Sequence, residues 1–470
     1  MSTTHSANSS HVSRMQATFD SVNWDALSAL ACRHYKVEGF HWGDQLWGGY
    51  NLVRFLHLHD DSKTVLVARV PLHDVSDKSA AKHRLAISNR VASEIAIMEY
   101  IESQTNIPIP HIIESSANAE SIGSPFILMT KVDGVPLVQV WDEMADDKRR
   151  VLLQQVVDIL LELWSHRFDT VGALFKQPNG KWTIASSSSL DDSQAGNYGI
   201  DTTSHSNAAD YWLAYTNAKL QAEKDFNFGD ITKSHSYAML WFMRSLIPAL
   251  FDPSVDRHGF PLSPGDLHSQ NIMVTDIDTP TPHISAVIDW EFSGSDYCTS
   301  FAHYPFFIID HPAWEDDHPL RPRNVRDQAT FDELLREAER KRGESVGGVL
   351  LSDLISKSYT IYLFNQCVRF EIMFGVLYPC LFEHVFGPGS SESGGFSTDY
   401  YEALMESGIL RKESERFNIE NEVFLKSQEV LGEDAIHGGM TRQAFKEAVS
   451  AHSGRFDENG VVHQWLNSEV

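Results

Sequence analysis

Alternating apolar and polar residues mark the early part of the chain and predict β-strands over 51–59 and 64–70. The polar run 60–63 between them is typical of a turn, and a glycine pair, Gly48 and Gly49, stands just ahead of the first strand. The pattern therefore indicates a β-hairpin that follows a glycine turn.

A helical period replaces the alternation over 85–104, where apolar residues recur every three or four positions. Glu94 falls inside the stripe that these residues form (Val91, Ile95, Met98 and Ile101). An unpaired carboxylate on a buried helix face is costly. We therefore expect Glu94 to have a cationic partner.

The remaining chain has mostly the periodicity of helices. A short apolar strand is predicted at 126–129 and a turn at 132–136. Helices are predicted after that at 151–168, 237–251, 327–342 and 350–376. A first structured block over 24–134 is thus β-rich, and the chain beyond it is largely helical.

Composition limits the classes of partner. The chain has 470 residues, of which 42% are hydrophobic, and its formal net charge is −26. The length and the hydrophobic content are enough for a large core in two domains or in one domain with two lobes. Nucleic acids and anionic membranes need a basic footprint, so neither is expected as the main partner. The charge is compatible with a cationic ligand, although it most often serves solubility alone.

The cellular location is suggested by the cysteines and the N-terminus. Four cysteines without a CxxC pair favour a reducing compartment. Residues 1–14 hold one Arg and no apolar core, which is unlike a signal peptide and a poor match to a transit peptide. A cytoplasmic location is therefore favoured over a mitochondrial one, and no membrane span is expected. The oligomeric state stays open.

The strongest chemical signal lies between Pro264 and Glu291. Asp266 is followed five residues later by Asn271 on a tight loop that runs into a strand, and Asp289 ends the next apolar strand. If the two strands pair, Asp289 returns to the side of Asn271. Phosphoryl transfer needs such groups, because a carboxylate orients the attacking hydroxyl and oxygen ligands hold Mg²⁺ against the phosphates.

Two stretches of this segment resemble a known family. Pro-Gly-Asp-Leu-His-Ser-Gln-Asn at 264–271 resembles the catalytic loop of aminoglycoside phosphotransferases, choline kinases and protein kinases. Val-Ile-Asp-Trp-Glu at 287–291 resembles the metal motif of the phosphotransferases. The resemblance implies that Asp266 is the catalytic base and that Asn271 and Asp289 bind Mg²⁺. The alternative interpretation is a β-hairpin with incidental polar turn residues.

The resemblance extends to the nucleotide side of such a site. The turn at Gly48, Gly49 and Asn51 resembles the nucleotide-covering loop, in which glycines let backbone N–H groups approach phosphates. Ala-Arg-Val-Pro at 68–71 is similar to the strand that carries the phosphate-gripping cation in a fungal-type branch of the family. That cation is here Arg69, and the resemblance pairs it with Glu94.

A hinge between two lobes is implied after the strand at 126–129, where the backbone of Thr130 and Val132 is expected to bind adenine. The implied fold is α+β and protein-kinase-like, with a small β-rich N-lobe and a large, mainly helical C-lobe. The expected divisions are a disordered lead-in, the nucleotide-binding N-lobe, the catalytic and substrate-binding C-lobe and a polar helical tail (1–23, 24–134, 135–430 and 431–470).

We therefore predict a phosphotransferase that uses ATP and Mg²⁺ and acts on a hydroxyl of a small metabolite, with a cationic acceptor mildly favoured. Two departures from the family keep a pseudokinase open, in the role of a nucleotide-binding or scaffold protein. Pro264 stands where the family usually has histidine, and Arg69 replaces the lysine of most kinases.

Overall fold

The computed structural model describes residues 3–72, 80–187, 190, 199–225, 233–312, 314–315, 317–343, 347–369, 371–390, 403–408 and 410–468. The chain divides into two compact units, one formed by 1–207 with 254–357 and the other by 208–253 with 358–470. The predicted boundaries at 134 and 430 do not coincide with this division, because the N-terminal sheet and the central helices share the first unit.

An antiparallel five-stranded sheet forms the β-rich N-terminal region, in the order β1-β2-β3-β5-β4. Side chains alternate across each strand, so Leu56, Leu66 and Leu128 lie on one face and pack against Leu27 of helix α2. The bounds are β1 Phe40–Trp47, β2 Asn51–Leu58, β3 Val65–Pro71, β4 Ile112–Ser116, β5 Phe126–Thr130 and α2 Trp24–Tyr35.

The lead-in over 1–23, which was expected to be disordered, contains a helix, α1 (Thr3–Ser21), among its described residues. The C-terminal end of α1 contacts the following residues, although most of the helix sequence is polar. Trp24 Nε1 donates to the Phe19 carbonyl at 3.0 Å, and the two rings lie 5.6 Å apart. Val22 is buried in the same apolar cluster as the sheet.

One helix, α3 (Ala80–Gln104), lies in sequence between β3 and β4. Its buried residues Ile97, Met98 and Ile101 belong to the main core of the first unit. Helix α4 (Asp146–Ser165) is apolar on most of its surface and runs through that core. The other helices of this unit are α7 Cys298–Phe301, α8 Arg321–Arg342 and α9 Leu351–Ile355.

Short strands also occur in the region predicted to be largely helical. A three-stranded sheet has the order β12-β11-β6, and a five-stranded one has the order β7-β10-β13-β8-β9. These strands are β6 Val135–Pro136, β7 Arg167–Phe168, β8 Gly172–Lys176, β9 Trp182–Ala185, β10 Phe260–Ser263, β11 Ile272–Thr275, β12 His283–Val287 and β13 Gly294–Ser295.

The second unit is helical over its described residues. Its helices are α5 Ala208–Asp225, α6 Lys233–Leu250, α10 Ser358–Arg369, α11 Glu371–Phe386, α12 Arg411–Leu431, α13 Arg442–Ser450 and α14 Val461–Leu466. The predicted polar tail is helical, but it has its own core, in which Phe445 and Trp465 pack with Val423 and Phe424 of α12.

The order of elements is that of the predicted protein-kinase-like α+β fold. A five-stranded antiparallel sheet with one helix between its third and fourth strands precedes a mostly helical region that carries a β-hairpin. Among the described helices, none combines the length and apolar character needed to cross a membrane.

Candidate active site

The predicted hairpin is present and brings two of the candidate residues together. Strands β11 and β12 pair antiparallel, with Ile272 opposite Val287. The Ile288 amide donates to the Asn271 carbonyl at 2.8 Å. Asp289 is the next residue after Ile288, so the chain returns beside Asn271 as the sequence predicted.

Asp266, the predicted base, lies on the loop that leads into this hairpin. Asn271 Nδ2 donates to the Asp266 carbonyl at 2.9 Å and lies 3.4 Å from its Oδ2. This contact uses the amide nitrogen, so the Asn271 Oδ1 is the atom suited to a cation. His268 Nε2 lies 3.2 Å from Asp266 Oδ2, a contact that we did not predict. The Asp266 side chain is 47% exposed and can therefore meet an acceptor hydroxyl.

The loop before Asp266 is fastened to the segment that follows Asp289. The Gly265 amide donates to Ser293 Oγ at 3.0 Å, and Ser293 is buried. A Cβ at Gly265 would lie 2.5 Å from the Phe292 carbonyl carbon and 2.7 Å from the Glu291 carbonyl oxygen. The two segments therefore pack backbone to backbone immediately after Pro264.

Two residues of the metal motif region have left-handed backbone. Asp289 has φ 61° and Phe292 has φ 62°. Such values are uncommon for residues other than glycine, although Asp tolerates them better than most. Non-glycine residues in this conformation cluster at functional sites.

Arg69, the predicted phosphate-gripping cation, touches three carboxylates. Its Nη1 donates to Glu94, which is the predicted ion pair. Its Nη2 lies 2.6 Å from Asp289 Oδ1 and 2.6 Å from Glu291 Oε2. Arg69 and Glu94 are 6% and 4% exposed, so each charge depends on its partners.

Glu291 and Arg90 are the site residues that sequence reasoning missed. Glu291 is 4% exposed, accepts from Asn51 Nδ2 at 2.7 Å and lies 2.6 Å from Arg90 Nε. Arg90 stands four residues before Glu94, one turn earlier on α3. The sequence signal for Arg90 was its helical spacing from Glu94. Glu291 was noted only as the last residue of the motif at 287–291.

The glycine turn, predicted ahead of the strand that is β2, connects β2 to the preceding strand β1. The Gly48 amide donates to the Asn51 carbonyl at 2.9 Å, which closes the turn. No atom lies within 4 Å of a Cβ built at Gly49. Asn51, predicted as part of the nucleotide loop, is held by Glu291 across the site.

At the predicted hinge, one of the expected backbone groups is already used. The Thr130 amide donates to the His111 carbonyl at 2.9 Å, and its Oγ1 accepts from the His111 amide at 3.0 Å. The carbonyl of Thr130, rather than its amide, is therefore the group that could serve adenine. The Val132 carbonyl lies 3.4 Å from Lys131 Nζ.

The donor set suits magnesium and a polyphosphate. Mg²⁺ is usually held by one or two carboxylates together with substrate phosphates and water. Asp289 and the oxygen of Asn271 supply that kind of chemistry. Within the described residues, no group of three or more His, Cys, Asp or Glu side chains is arranged to bind a metal by itself. The two guanidinium groups of Arg69 and Arg90 are the available cations.

Comparison with known proteins gives short sequence matches, and no family model matches the chain. A subtelomeric hrmA-associated cluster protein of Aspergillus fumigatus is 24% identical over 136 residues, which are 29% of this chain and 25% of that protein. The altered inheritance of mitochondria protein 9, mitochondrial, of Meyerozyma guilliermondii is 26% identical over 131 residues, 27% of this chain and 20% of that protein. The chain thus spans a quarter or less of the length of these relatives.

The similar solved structures are phosphotransferases. A putative aminoglycoside phosphotransferase from Ralstonia eutropha has a TM-score of 0.44 and 17% identity, with 85% of this chain and 98% of that chain covered. The GDP complex of aminoglycoside 2'-phosphotransferase-IIIa has a TM-score of 0.40 and 12% identity, with 84% and 99% covered.

Proposed function

We propose that this protein is a small-molecule kinase, which transfers the γ-phosphoryl group of ATP to a hydroxyl with the help of Mg²⁺. In this proposal Asp266 orients the hydroxyl and accepts its proton. Asn271 and Asp289 hold the metal, and Arg69 binds the phosphates. Such catalysis depends on positioning and on neutralising charge.

The observation that carries the proposal is the return of Asp289 to the side of Asn271. The amide of Ile288 is bonded to the Asn271 carbonyl, and Arg69 Nη2 reaches Asp289 at 2.6 Å. A metal between Asp289 and Asn271 would thus lie beside the cation that would bind the phosphates.

The decisive experiment replaces the proposed base. We expect Asp266→Asn to lower turnover of an accepted substrate by about 10²–10⁴-fold, the usual contribution of a general base. Binding of Mg·ATP should change little, because Asp266 is assigned to the acceptor side. Turnover would be followed by coupled ADP release and binding by calorimetry. Near wild-type turnover of Asp266→Asn would refute the assignment.

A second candidate is a pseudokinase that binds nucleotide or serves as a scaffold. Two features favour it: Pro264 at the usual histidine position, and the engagement of Arg69 by Asp289 and Glu291 as well as by Glu94. Thermal unfolding with ATP, with and without Mg²⁺, separates the candidates. A ligand at 100 times its Kd should stabilise the protein by about 2.7 kcal/mol. No shift would favour a scaffold, and a shift without turnover would favour a nucleotide-binding pseudokinase.

The acceptor is proposed to be a small hydroxylated metabolite, with amines favoured by the net charge of −26. A library of hydroxylated amines, sugars and amino alcohols would be incubated with ATP or GTP. A mass increase of one phosphoryl group should occur with the wild type and be absent with Asp266→Ala. Phosphorylation of neutral acceptors alone would contradict the preference for a cation.

For cellular location, we propose mitochondria in place of the cytoplasm that the composition suggested. The proposal is supported by the names of matched relatives, among them those of Candida glabrata and Debaryomyces hansenii, which are described as mitochondrial. Fractionation of cells that express a C-terminally tagged chain tests this. Recovery of the tag in the cytosolic fraction alone would restore the earlier expectation.

A further inference from the structure

We propose that Arg90 is a second phosphate-binding cation of the nucleotide site, and that Glu291 holds it in reserve until a nucleotide binds. The inference rests on the proposed function and adds a residue and a conformational step to it. It starts from the position of Arg90 on α3, one turn before Glu94.

Arg90 is directed into the site and not toward solvent. Its side chain is 13% exposed, and its Nε lies 2.6 Å from Glu291 Oε1. An arginine on a helix surface would keep its guanidinium in water, because desolvating it is costly without a partner. The position of the Arg90 guanidinium is therefore set by the site.

Glu291 gathers the same donors that a phosphate would use. Its two oxygens lie 2.6 Å from Arg69 Nη2, 2.6 Å from Arg90 Nε and 2.7 Å from Asn51 Nδ2. Carboxylates and phosphates both present anionic oxygens that match guanidinium groups. A nucleotide phosphate can therefore replace the carboxylate of Glu291 in this set of donors.

The single positive charge of Arg69 is not enough to bind a polyphosphate here. It faces three carboxylates, those of Glu94, Asp289 and Glu291. A polyphosphate would bring further negative charge to a place that is already negative on balance. A second guanidinium that leaves Glu291 and turns to the phosphates would place a positive charge beside them. Arg90 is the arginine in contact with Glu291.

Two aromatic rings link Arg90 to the glycine turn. Its guanidinium carbon lies 5.5 Å from the ring of Tyr50 and 5.7 Å from the ring of Phe292. The two rings meet edge to face at 5.3 Å. Tyr50 belongs to the glycine turn, so Arg90 contacts both this turn and Glu291. In the free protein these contacts hold the turn against the segment that follows Asp289.

The first test uses the protein without nucleotide. Hydrogen–deuterium exchange of amides 48–52 should become at least several-fold faster in Arg90→Ala, because the turn loses the cation–π contact of Tyr50 and keeps only the contacts of Asn51 with Glu291 and of Tyr50 with Phe292. Arg84→Ala, an exposed arginine on the same helix, is the control and should exchange like the wild type. Equal exchange in Arg90→Ala and wild type would overturn the contact with the turn, whatever the protein binds.

The second test measures affinity for AMP and for ADP with Mg²⁺ by calorimetry. We expect Arg90→Ala to weaken ADP about tenfold or more and AMP much less, with partial recovery in Arg90→Lys. Binding by the wild type with no loss in Arg90→Ala would overturn this inference and leave the proposed function standing. No binding of nucleotide by the wild type would overturn both.

A third test asks whether the Glu291 carboxylate competes with phosphate for Arg69 and Arg90. Glu291→Gln should bind Mg²⁺-free ADP more tightly than the wild type, because an internal competitor for the guanidinium groups is gone. Glu99→Gln removes the same charge from an exposed pair on α3 and is the matched control. Equal or weaker binding by Glu291→Gln would refute the competition.

Discussion

Single residues in this site depend on each other because their charges are buried. Arg69 and Glu94 are both more than nine-tenths buried. Taking such groups out of water costs several kcal/mol per ion, and the cost is offset only by close pairing. Arg69 pairs with Glu94 and has two further carboxylate partners, Asp289 and Glu291.

A substitution at Glu94 measures this dependence. We expect Glu94→Gln to lower the free energy of unfolding by about 3 kcal/mol. This is the low end of the usual cost of breaking a buried ion pair, because Arg69 still pairs with Asp289 and Glu291. Urea denaturation followed by tryptophan fluorescence would measure it. Glu99→Gln breaks an exposed pair with Lys176 on the same helix and should cost at most about 1 kcal/mol. Equal losses in the two variants would contradict the role of burial.

The sequence predicted charged residues where the chemistry demanded them. Glu94 was found because a carboxylate in an apolar stripe needs a partner, and Asp289 because an Asp ends a buried strand. Arg90 and Glu291 escaped because a charged residue near a helix edge or a motif end is usually solvated. Their burial arises only when α3 and the segment after β12 come together, which no local pattern records.

Among the elements, the loop over 264–271 and the segment after Asp289 pack backbone to backbone. The absence of a side chain at Gly265 lets their backbones touch, and the Gly265–Ser293 hydrogen bond holds them together. This contact positions Asp266 relative to Asp289 without the histidine usual in the family.

We therefore expect Gly265→Ala to be disruptive. The new methyl group would meet backbone atoms at 2.5–2.7 Å, which cannot rotate away. The free energy of unfolding should fall by about 1–3 kcal/mol, as for other overpacked sites. Gly49→Ala has open space around the added methyl group and is the control for stability. Chemical denaturation of both variants tests this, and a neutral Gly265→Ala would mean that the two segments separate readily.

Elements with a sustained local pattern were predictable, and those built from distant short pieces were not. Strands β2 and β3 match their predicted positions closely, and helix α3 ends at the predicted residue, Gln104. Strands β7, β10 and β13 have two to four residues each and pair with partners far along the chain. Such strands carry too few residues to show an alternation, so none of the three was predicted as a strand.

At the scale of the whole molecule, burial of histidines makes stability depend on pH. Burial lowers the pKa of His166, His303 and His311 below the ordinary value of 6.5. The folded chain therefore keeps them neutral while the unfolded chain takes up protons as the pH falls through about 6.5. More protons in the unfolded state mean that stability falls with falling pH.

We expect the free energy of unfolding to decrease between pH 7.5 and 5.5. Burial raises the pKa of Asp327 and Asp332, which acts in the opposite direction, because the folded chain takes up protons at these carboxyls at a pH above their ordinary value of 3.8. Urea denaturation at intervals of half a pH unit would resolve the slope, and His303→Asn should flatten it. A stability that is constant over this range would show that these histidines titrate alike in both states.

The division of the molecule was the least predictable feature. We expected boundaries at 134 and 430, but the second unit is assembled from 208–253 and 358–470, which are remote in sequence. The tail helices contribute Phe445 and Trp465 to its core, although their overall composition is polar. A few large apolar residues decide such packing, and composition averages conceal them.

The left-handed backbone of Asp289 affects how this position can be probed. Asn accepts that conformation nearly as well as Asp, and glycine does so freely, whereas alanine and glutamate are strained there. An alanine scan would thus confound a folding defect with the loss of the proposed metal ligand. Saturation mutagenesis scored once for abundance and once for activity would separate the two, with Asn and Gly as the abundant but inactive variants.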